Sequence, residues 1–404
     1  MQHRAAHIAG MSSSRSRSSA PPQVLVLQGG GALGAYQAGV FESLHAEGHH
    51  PDWVAGISIG AINSALIAGN RPDEAVGKLR AFWDLVSSEL TAIAPADSGP
   101  ARRWFNEVSA ALVASVGAPG FFRPRLPGFT APAALFTATS IYDTSPLRET
   151  LTELVDFDLL NDGPMRFSVG AVNVITGNLT WFDNRQCRIG PEHIMASGAL
   201  PPGFPPVEVD GQFYWDGGLV SNTPLQYVID EEEGTDMTIY QVDLFHTRGA
   251  VPEDLADVMQ REKDIRFSSR TRLNTDLLQQ IKELRVTANR LAKKLPDEWA
   301  KDPDLVELTR HPDPGAVAIM HLINRRELYE TFSKDYEFSR ATVNEHWRTG
   351  AEDARISLEH PCWTGRNRHR QGLITYDLRN PDGPRVRDAL GTELANARKG
   401  APTP

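Results

Sequence analysis

Three short stretches carry residue types that could act on a carbonyl group. Gly56-Ile57-Ser58-Ile59-Gly60 sets one serine between two glycines; so sharp a bend lifts the hydroxyl clear of the backbone and leaves no room for a Cβ on either side. Gly29-Gly30-Gly31-Ala32 is a run of nearly bare backbone whose N–H groups can point outward at a negative charge. Asp216-Gly217-Gly218 puts a carboxylate on a turn that other backbone can approach closely. A serine hydroxyl is a weak nucleophile until a base takes its proton, and a carboxylate can be that base if an apolar site raises its pKa toward neutrality. Attack on an ester then creates an alkoxide for the N–H groups of Gly30 and Gly31 to stabilise, and water releases the acyl group from Ser58.

Each stretch also has a plainer reading. In a chain with 33 glycines, short G-x-S-x-G matches arise by chance, and an aspartate on a glycine turn often caps its own backbone. Gly29, Gly31 and Gly34 satisfy G-x-G-x-x-G, the fingerprint of a dinucleotide site. That fold needs an acidic residue at the end of its second strand; here Asp52 precedes the strand and Ser58 stands at its far end. A serine, acid and histidine order is met by His246, after the strand-like run Met237–Phe245, but the serine comes earlier in the chain than the α/β-hydrolase order places it.

The elements that must hold these residues follow from the hydrophobic pattern. Gln23–Gln28 is a short β-branched strand feeding the glycine loop and a helix over Ala35–Leu44. Trp53–Gly56 is a strand, and the small-residue helix from Ala61 to the stop at Gly69 puts Ser58 at the positive end of a helix dipole. Ala75, Leu79, Phe82, Trp83 and Val86 mark one helix face, and Ser145-Pro146 opens another helix. Between them, 94–132 is loaded with Pro, Gly and aromatics such as Phe121, Phe122 and Phe129; it reads either as a lid lining an apolar entrance or as a surface insertion. Phe167–Asn173 and Leu179–Phe182 flank the turn Thr176-Gly177-Asn178, the block Met195–Val207 walls a pocket, and the strand Gln212–Trp215 delivers Asp216.

Taken in order, Gly29-Gly30-Gly31-Ala32, Gly56-Ile57-Ser58-Ile59-Gly60, Ala196-Ser197-Gly198-Ala199-Leu200-Pro201 and Asp216-Gly217-Gly218 resemble the patatin-like phospholipases and acyl hydrolases. The resemblance spans about Val24 to Phe245. It implies an α/β fold of three layers with a mostly parallel central sheet, Ser58 and Asp216 as a catalytic dyad without a histidine, Gly29, Gly30, Gly31 and Ala32 as the oxyanion loop, and no cofactor. Leu33 stands where many relatives carry an arginine, a departure that leaves the oxyanion donors intact. Some bacterial members carry a C-terminal extension like the one here.

Composition bounds the rest. The length of 404 residues and 41% hydrophobic content suffice for a sizeable core. A net charge of -10 argues against nucleic acid as a partner. Cys187 and Cys362 form no C-x-x-C pair, which fits a reducing, cytoplasmic compartment, and His49 and His50 are adjacent rather than at metal-ligand spacing, so no metal is expected. Without about 18 consecutive apolar residues, contact with a membrane is expected to be peripheral. Residues 1–22, serine-rich with Arg4, Arg15 and Arg17 and no acid, read as a disordered leader in which Met11 is an alternative start.

The expected organisation is a catalytic region over 23–250, a mainly helical extension over 251–360 and a tail over 361–404; within the extension Val317–Ile323 reads as a returning strand and Ala341–Leu358 as a helix, which would complete the sheet or form a subdomain. Leucines from Leu273 to Leu295 mark a long amphipathic helix, and 261–294 holds ten Lys or Arg against four acids. Packing on the catalytic region is the first reading; contact with an anionic membrane and homodimer formation are the alternatives. The function these features point to is a serine acyl hydrolase for lipid esters, of phospholipase A or carboxylesterase type. Short soluble esters, including hydroxy-acid oligoesters, are the closest alternative, followed by an idle membrane-binding module.

Overall fold

The computed structural model describes residues 21–387, apart from 92–93, 96–98, 126–137, 233, 269–283, 300, 311–314, 326–331 and 368–371, together with 393–396. Gln23–Leu27 (β1) pairs in parallel with Trp53–Gly56 (β2) on one side and with Met237–Asp243 (β9) on the other. Side chains alternate across a strand, and Leu25 and Leu27 enter one hydrophobic core while Val24 and Val26 enter a second. A strand apolar on both faces belongs inside a parallel sheet covered by helices on both sides. Arg166–Asn173 (β5) continues the parallel run beyond β2, and Ala316–Ile323 (β10) and Gly372–Asp377 (β11) continue it beyond β9.

Antiparallel strands finish both sides of this eleven-stranded sheet. Leu179–Asp183 (β6), Val207–Val209 (β7) and Gln212–Asp216 (β8) gather near β5; Arg385–Arg387 (β12) and Glu393–Asn396 (β13) follow β11. A separate two-stranded ladder joins Arg123–Pro124 (β3) to Tyr142–Asp143 (β4). On one face, Gly34–Ala46 (α1), Ile59–Ala68 (α2) and Pro72–Val86 (α3) bury the larger core; Leu225, Val228 and Ile229 of the helix Leu225–Glu231 close the smaller core on the other. The result is the three-layer α/β/α arrangement.

Two sequence expectations need correction. The stretch 94–132 contains a helix, Pro100–Val116 (α4), because its prolines and glycines flank the helix rather than interrupt it: Gly99 caps, Pro100 starts and Gly117 ends it. Phe129 lies outside the described residues. The region 251–360 is mainly helical among its described residues; the strand expected over Val317–Ile323 is β10, in the central sheet, and the helix expected over Ala341–Leu358 is Arg340–Glu359, packed on α1 so closely that a Cβ on Gly39 would stand 1.9 Å from the Trp347 carbonyl oxygen. By contrast, 361–404 is not wholly a tail: β11 extends the sheet, and the apolar residues of Gly372–Asp377 are buried in it. In addition, Thr144 rather than Ser145 is the cap of the helix Ser145–Leu154.

Of the leucine helix expected from Leu273 to Leu295, 273–283 lies outside the described residues; 284–292 is helical, with Leu284 and Leu291 exposed. Residues 1–20 of the expected leader are likewise outside them. Among the described residues no helix is long and apolar enough to cross a membrane.

Candidate active site

The pairing of β5 brings the serine and the aspartate together. Val169 pairs with Phe182 of β6 and with Gly56 of β2; Ala171 pairs with Thr180 of β6 and with Asp216 of β8. With β6 on one edge, β2 and β8 must dock end to end along the other. Their ends meet at Gly170, one residue from each pairing. Ser58 follows β2 and Asp216 closes β8, so side chains far apart in sequence line one cavity, with the Ser58 hydroxyl near enough to the Asp216 carboxylate to favour its charged form.

The bend after β2 is as tight as its glycines require. A Cβ on Gly56 would lie 2.2 Å from the Gly60 carbonyl oxygen, and one on Gly60 would lie 2.3 Å from that of Leu27. Ser58 itself adopts φ 55° and ψ −123°, a conformation that costs a non-glycine residue about 1–3 kcal/mol and survives only where its surroundings enforce it. One enforcing group is Ser197, at the end of the helix Pro191–Ser197. Its Oγ accepts the Ser58 N–H at 3.0 Å and donates to the Gly170 carbonyl at 2.7 Å, pinning the bend to the junction on β5.

Asp216 is 2% exposed. Burial, which disfavours the charged carboxylate, pushes its pKa up to about 7, while the nearby Ser58 hydroxyl and a hydrogen bond from the Gly218 N–H at 2.7 Å pull the other way. Gly217 is crowded by the same junction, since a Cβ there would stand 2.5 Å from the Gly170 carbonyl oxygen.

The glycine loop lies opposite, and its four residues are not equivalent. The Gly29 N–H donates to the Asn222 carbonyl at 3.2 Å and the Ala32 N–H to the Asp335 carbonyl at 2.7 Å, so these two are not open donors, contrary to the four-residue loop expected from the sequence. The N–H groups of Gly30 and Gly31 have no acceptor among the described residues, and both glycines line the same cavity as Ser58 and Asp216. Gly31 has φ +55°, and a Cβ there would meet the Asp335 carbonyl oxygen at 2.0 Å.

Buried amide side chains fix the loop. Asn222 Nδ2 donates to the Gly29 carbonyl at 3.0 Å and to that of Phe267 at 2.8 Å. Gln28 Oε1 accepts the N–H groups of Leu244 and Phe245 at 2.6 and 2.9 Å, and the Gln28 carbonyl accepts from Gln37 Nε2 at 2.6 Å. Asn63 on α2 then donates to Gln37 and to the Gly34 carbonyl and accepts from Trp83 Nε1 on α3. Removing one partner from such a network strands a buried polar group, at about 1–3 kcal/mol.

The cavity has a volume of about 350 Å³. Its floor is the glycine loop, Ser58 and Asp216; its walls include Ile62, Val113, Phe121, Phe122, Phe204 and Phe338. The phenylalanines pack tilted or edge to face, with Phe121 and Phe122 each within 6.3 Å of Phe204 and Phe338, centroid to centroid. Two of the aromatics singled out in the 94–132 stretch therefore line the pocket, and Phe267, Tyr336 and Phe338 come to it from beyond residue 250. His246 is elsewhere: it does not line the cavity, it neighbours Asp264, Lys334 and Arg261, and burial lowers its pKa. Among the described residues no three His, Cys, Asp or Glu side chains form a group that could hold a metal ion.

Sequence reasoning did not single out Gly170, Asn222, Gln28 or Asp335, and it quoted Ser197 without a role. Asn222 lies close to Asp216 in the chain; for the others, the sequence carries no local signal.

A parallel α/β sheet with a serine bend at the end of one strand and a glycine loop at the end of its neighbour defines the class. Residues 25–229 match the family described as patatin-like phospholipase, and 265–370 match a second described as patatin phospholipase. The chain belongs to the patatin-like phospholipase family. It is 27% identical over 210 residues to an uncharacterised NTE family protein of Mycobacterium tuberculosis, covering 52% of this chain and 46% of that protein. It is 28% identical over 204 residues to a patatin-like phospholipase domain-containing protein of Caenorhabditis elegans, covering 50% of this chain and 12% of that one. The chain thus spans about half the length of the mycobacterial relative. Among solved structures, VipD from Legionella pneumophila aligns over 84% of this chain and 67% of its own, at 14% identity and a TM-score of 0.37.

Proposed function

We propose that the protein hydrolyses carboxylic esters of lipids through an acyl-enzyme on Ser58. Asp216 takes the hydroxyl proton as Ser58 attacks the ester carbonyl, and the N–H groups of Gly30 and Gly31 stabilise the alkoxide. Asp216 then returns the proton to the departing alcohol. Water, deprotonated by the same carboxylate, attacks the acyl carbon, and as the bond to Ser58 breaks Asp216 returns that proton to the serine oxygen. One observation carries this reading: a carboxylate raised toward neutrality by burial shares an apolar cavity with the Ser58 hydroxyl and with two N–H groups that have no acceptor among the described residues.

A volume of about 350 Å³ is at the lower end of the ~300–1,000 Å³ typical of ligand pockets. That favours enclosure of one acyl arm, with the alcohol portion toward solvent. The size also keeps short soluble esters as the second reading. Graded p-nitrophenyl esters and phospholipid vesicles, assayed beside Ser58→Ala, separate the two. A fluorophosphonate probe should label Ser58, and an unlabelled chain inert toward every ester would end the proposal.

A further inference from the structure

A turn running from Phe332 to Ser339 is tied to three separate parts of the site. It reaches the glycine loop through the Asp335 carbonyl, which accepts the Ala32 N–H at 2.7 Å and sits against the bare Cα of Gly31. The helix Leu255–Phe267 holds it through Lys263, whose Nζ donates to Asp335 Oδ1 and to the Phe332 carbonyl, both at 2.7 Å. Beside this contact Lys334 and Asp264 form a nearly buried ion pair at 2.8 Å. Helix α4 holds the other flank: Ser333 Oγ donates to Glu107 at 2.9 Å, and Ser109 bonds to Glu337. Glu337 also accepts the Ser339 N–H at 2.9 Å.

The Asp335 carbonyl consumes the loop donor next to Gly30 and Gly31, and its position depends on how the turn is held. One ammonium group fastens the turn at two points, a backbone carbonyl and the carboxylate of Asp335 itself. Without it, the Asp335 carboxylate, only 21% exposed, would lose its cation, and a half-buried charge left alone drives rearrangement toward water. Any shift of the Asp335 carbonyl frees the Ala32 N–H and removes the contact that seats Gly31.

We propose that Lys263 is a positioning residue for the glycine loop. Acting through Asp335, it holds the loop so that the N–H groups of Gly30 and Gly31 face the reacting carbonyl. This inference rests on the proposed role of those two N–H groups, and it gives the region beyond residue 250 a part in the chemistry as well as in the sheet. Lys263 touches no reacting atom, so its loss should act on transition-state stabilisation more than on binding of the acyl chain along the phenylalanine walls.

The test compares kcat and KM for a p-nitrophenyl ester among the full-length wild type, Lys263→Met, Lys263→Arg and Asp335→Asn, with thermal unfolding as the check on folding. Displacement of a catalytic group by about 1 Å can cost ~10²-fold, so kcat should fall by ~10–100-fold in Lys263→Met and Asp335→Asn, with KM within about threefold of wild type. Lys263→Arg, which keeps the cation, should recover most of the rate. If Lys263→Met does not fold, Asp335→Asn is read in the same way, since it keeps the side-chain size and the backbone carbonyl. A folded variant with wild-type kcat, or one altered in KM alone, overturns the role of Lys263 and leaves the hydrolase reading standing. A wild type inert toward every ester removes both.

Discussion

Asp216 and Ser58 line one cavity because β2 and β8 meet end to end on one edge of β5, with Gly56 opposite Val169 and Asp216 opposite Ala171. The proposed chemistry therefore depends on strand register. A one-residue slip of β8 would turn Asp216 to the other face of the sheet.

Activity should follow ionisation of Asp216. Only its charged form can accept the serine proton, and burial brings its pKa up to about 7. Below that value kcat/KM should fall about tenfold for each unit of pH, and above it the profile should level off. A pH series with a non-ionising ester checks this; a midpoint near 4 would mean that the acting base is not a buried carboxylate.

Stability should follow the opposite trend. A carboxyl whose folded pKa lies near 7, above the unfolded ~3.9, binds more protons when folded than when unfolded. Its stabilising contribution is complete below the unfolded value and is lost as pH rises through about 7. Asp216→Asn has no such proton to lose. The urea midpoint of the wild type should drop between pH 5 and 8 relative to that of the variant, and parallel midpoints would contradict the shift.

Ser197→Ala removes the hydroxyl that links the Ser58 N–H to the Gly170 carbonyl. Both groups would lose a partner, so unfolding free energy should fall by about 1–3 kcal/mol. The strained bend should also loosen, lowering kcat more than it raises KM. Steady-state kinetics with urea denaturation give both values; an unchanged kcat would limit Ser197 to a structural part.

How much of this could be read in the sequence depended on distance along the chain. The Ser58 bend and the glycine loop are local geometry, where steric limits act within five residues, and both were legible. Asp216 was legible only as a carboxylate on a glycine turn beside a family resemblance; its burial comes from register. Helix α4 was hidden because the prolines and glycines counted as loop residues stand at its ends. The strand Gly372–Asp377 was hidden among charged and glycine-rich neighbours and became recognisable only through its pairing with β10. Nothing local in Lys263 or Asp335 announces a contact with Gly31 from so far along the chain.

Val113 on α4 lines the cavity. Val113→Phe should shorten it, so that KM for long p-nitrophenyl esters rises by about 10–100-fold, on the order of 1–3 kcal/mol for an acyl segment denied its pocket, while short esters turn over as before. A profile of kcat/KM against chain length reads the change directly. Equal loss on all esters would mean that the acyl group does not lie along α4.

The central claim is that the Asp216 carboxylate, and no histidine, activates Ser58. It is tested most directly by kcat/KM for one p-nitrophenyl ester in wild type, Asp216→Asn and His246→Ala. Loss of the general base should lower the Asp216→Asn value by at least ~10²-fold, while His246→Ala, altered outside the cavity, should stay near wild type. Activity retained in Asp216→Asn and abolished in a folded His246→Ala would contradict the account.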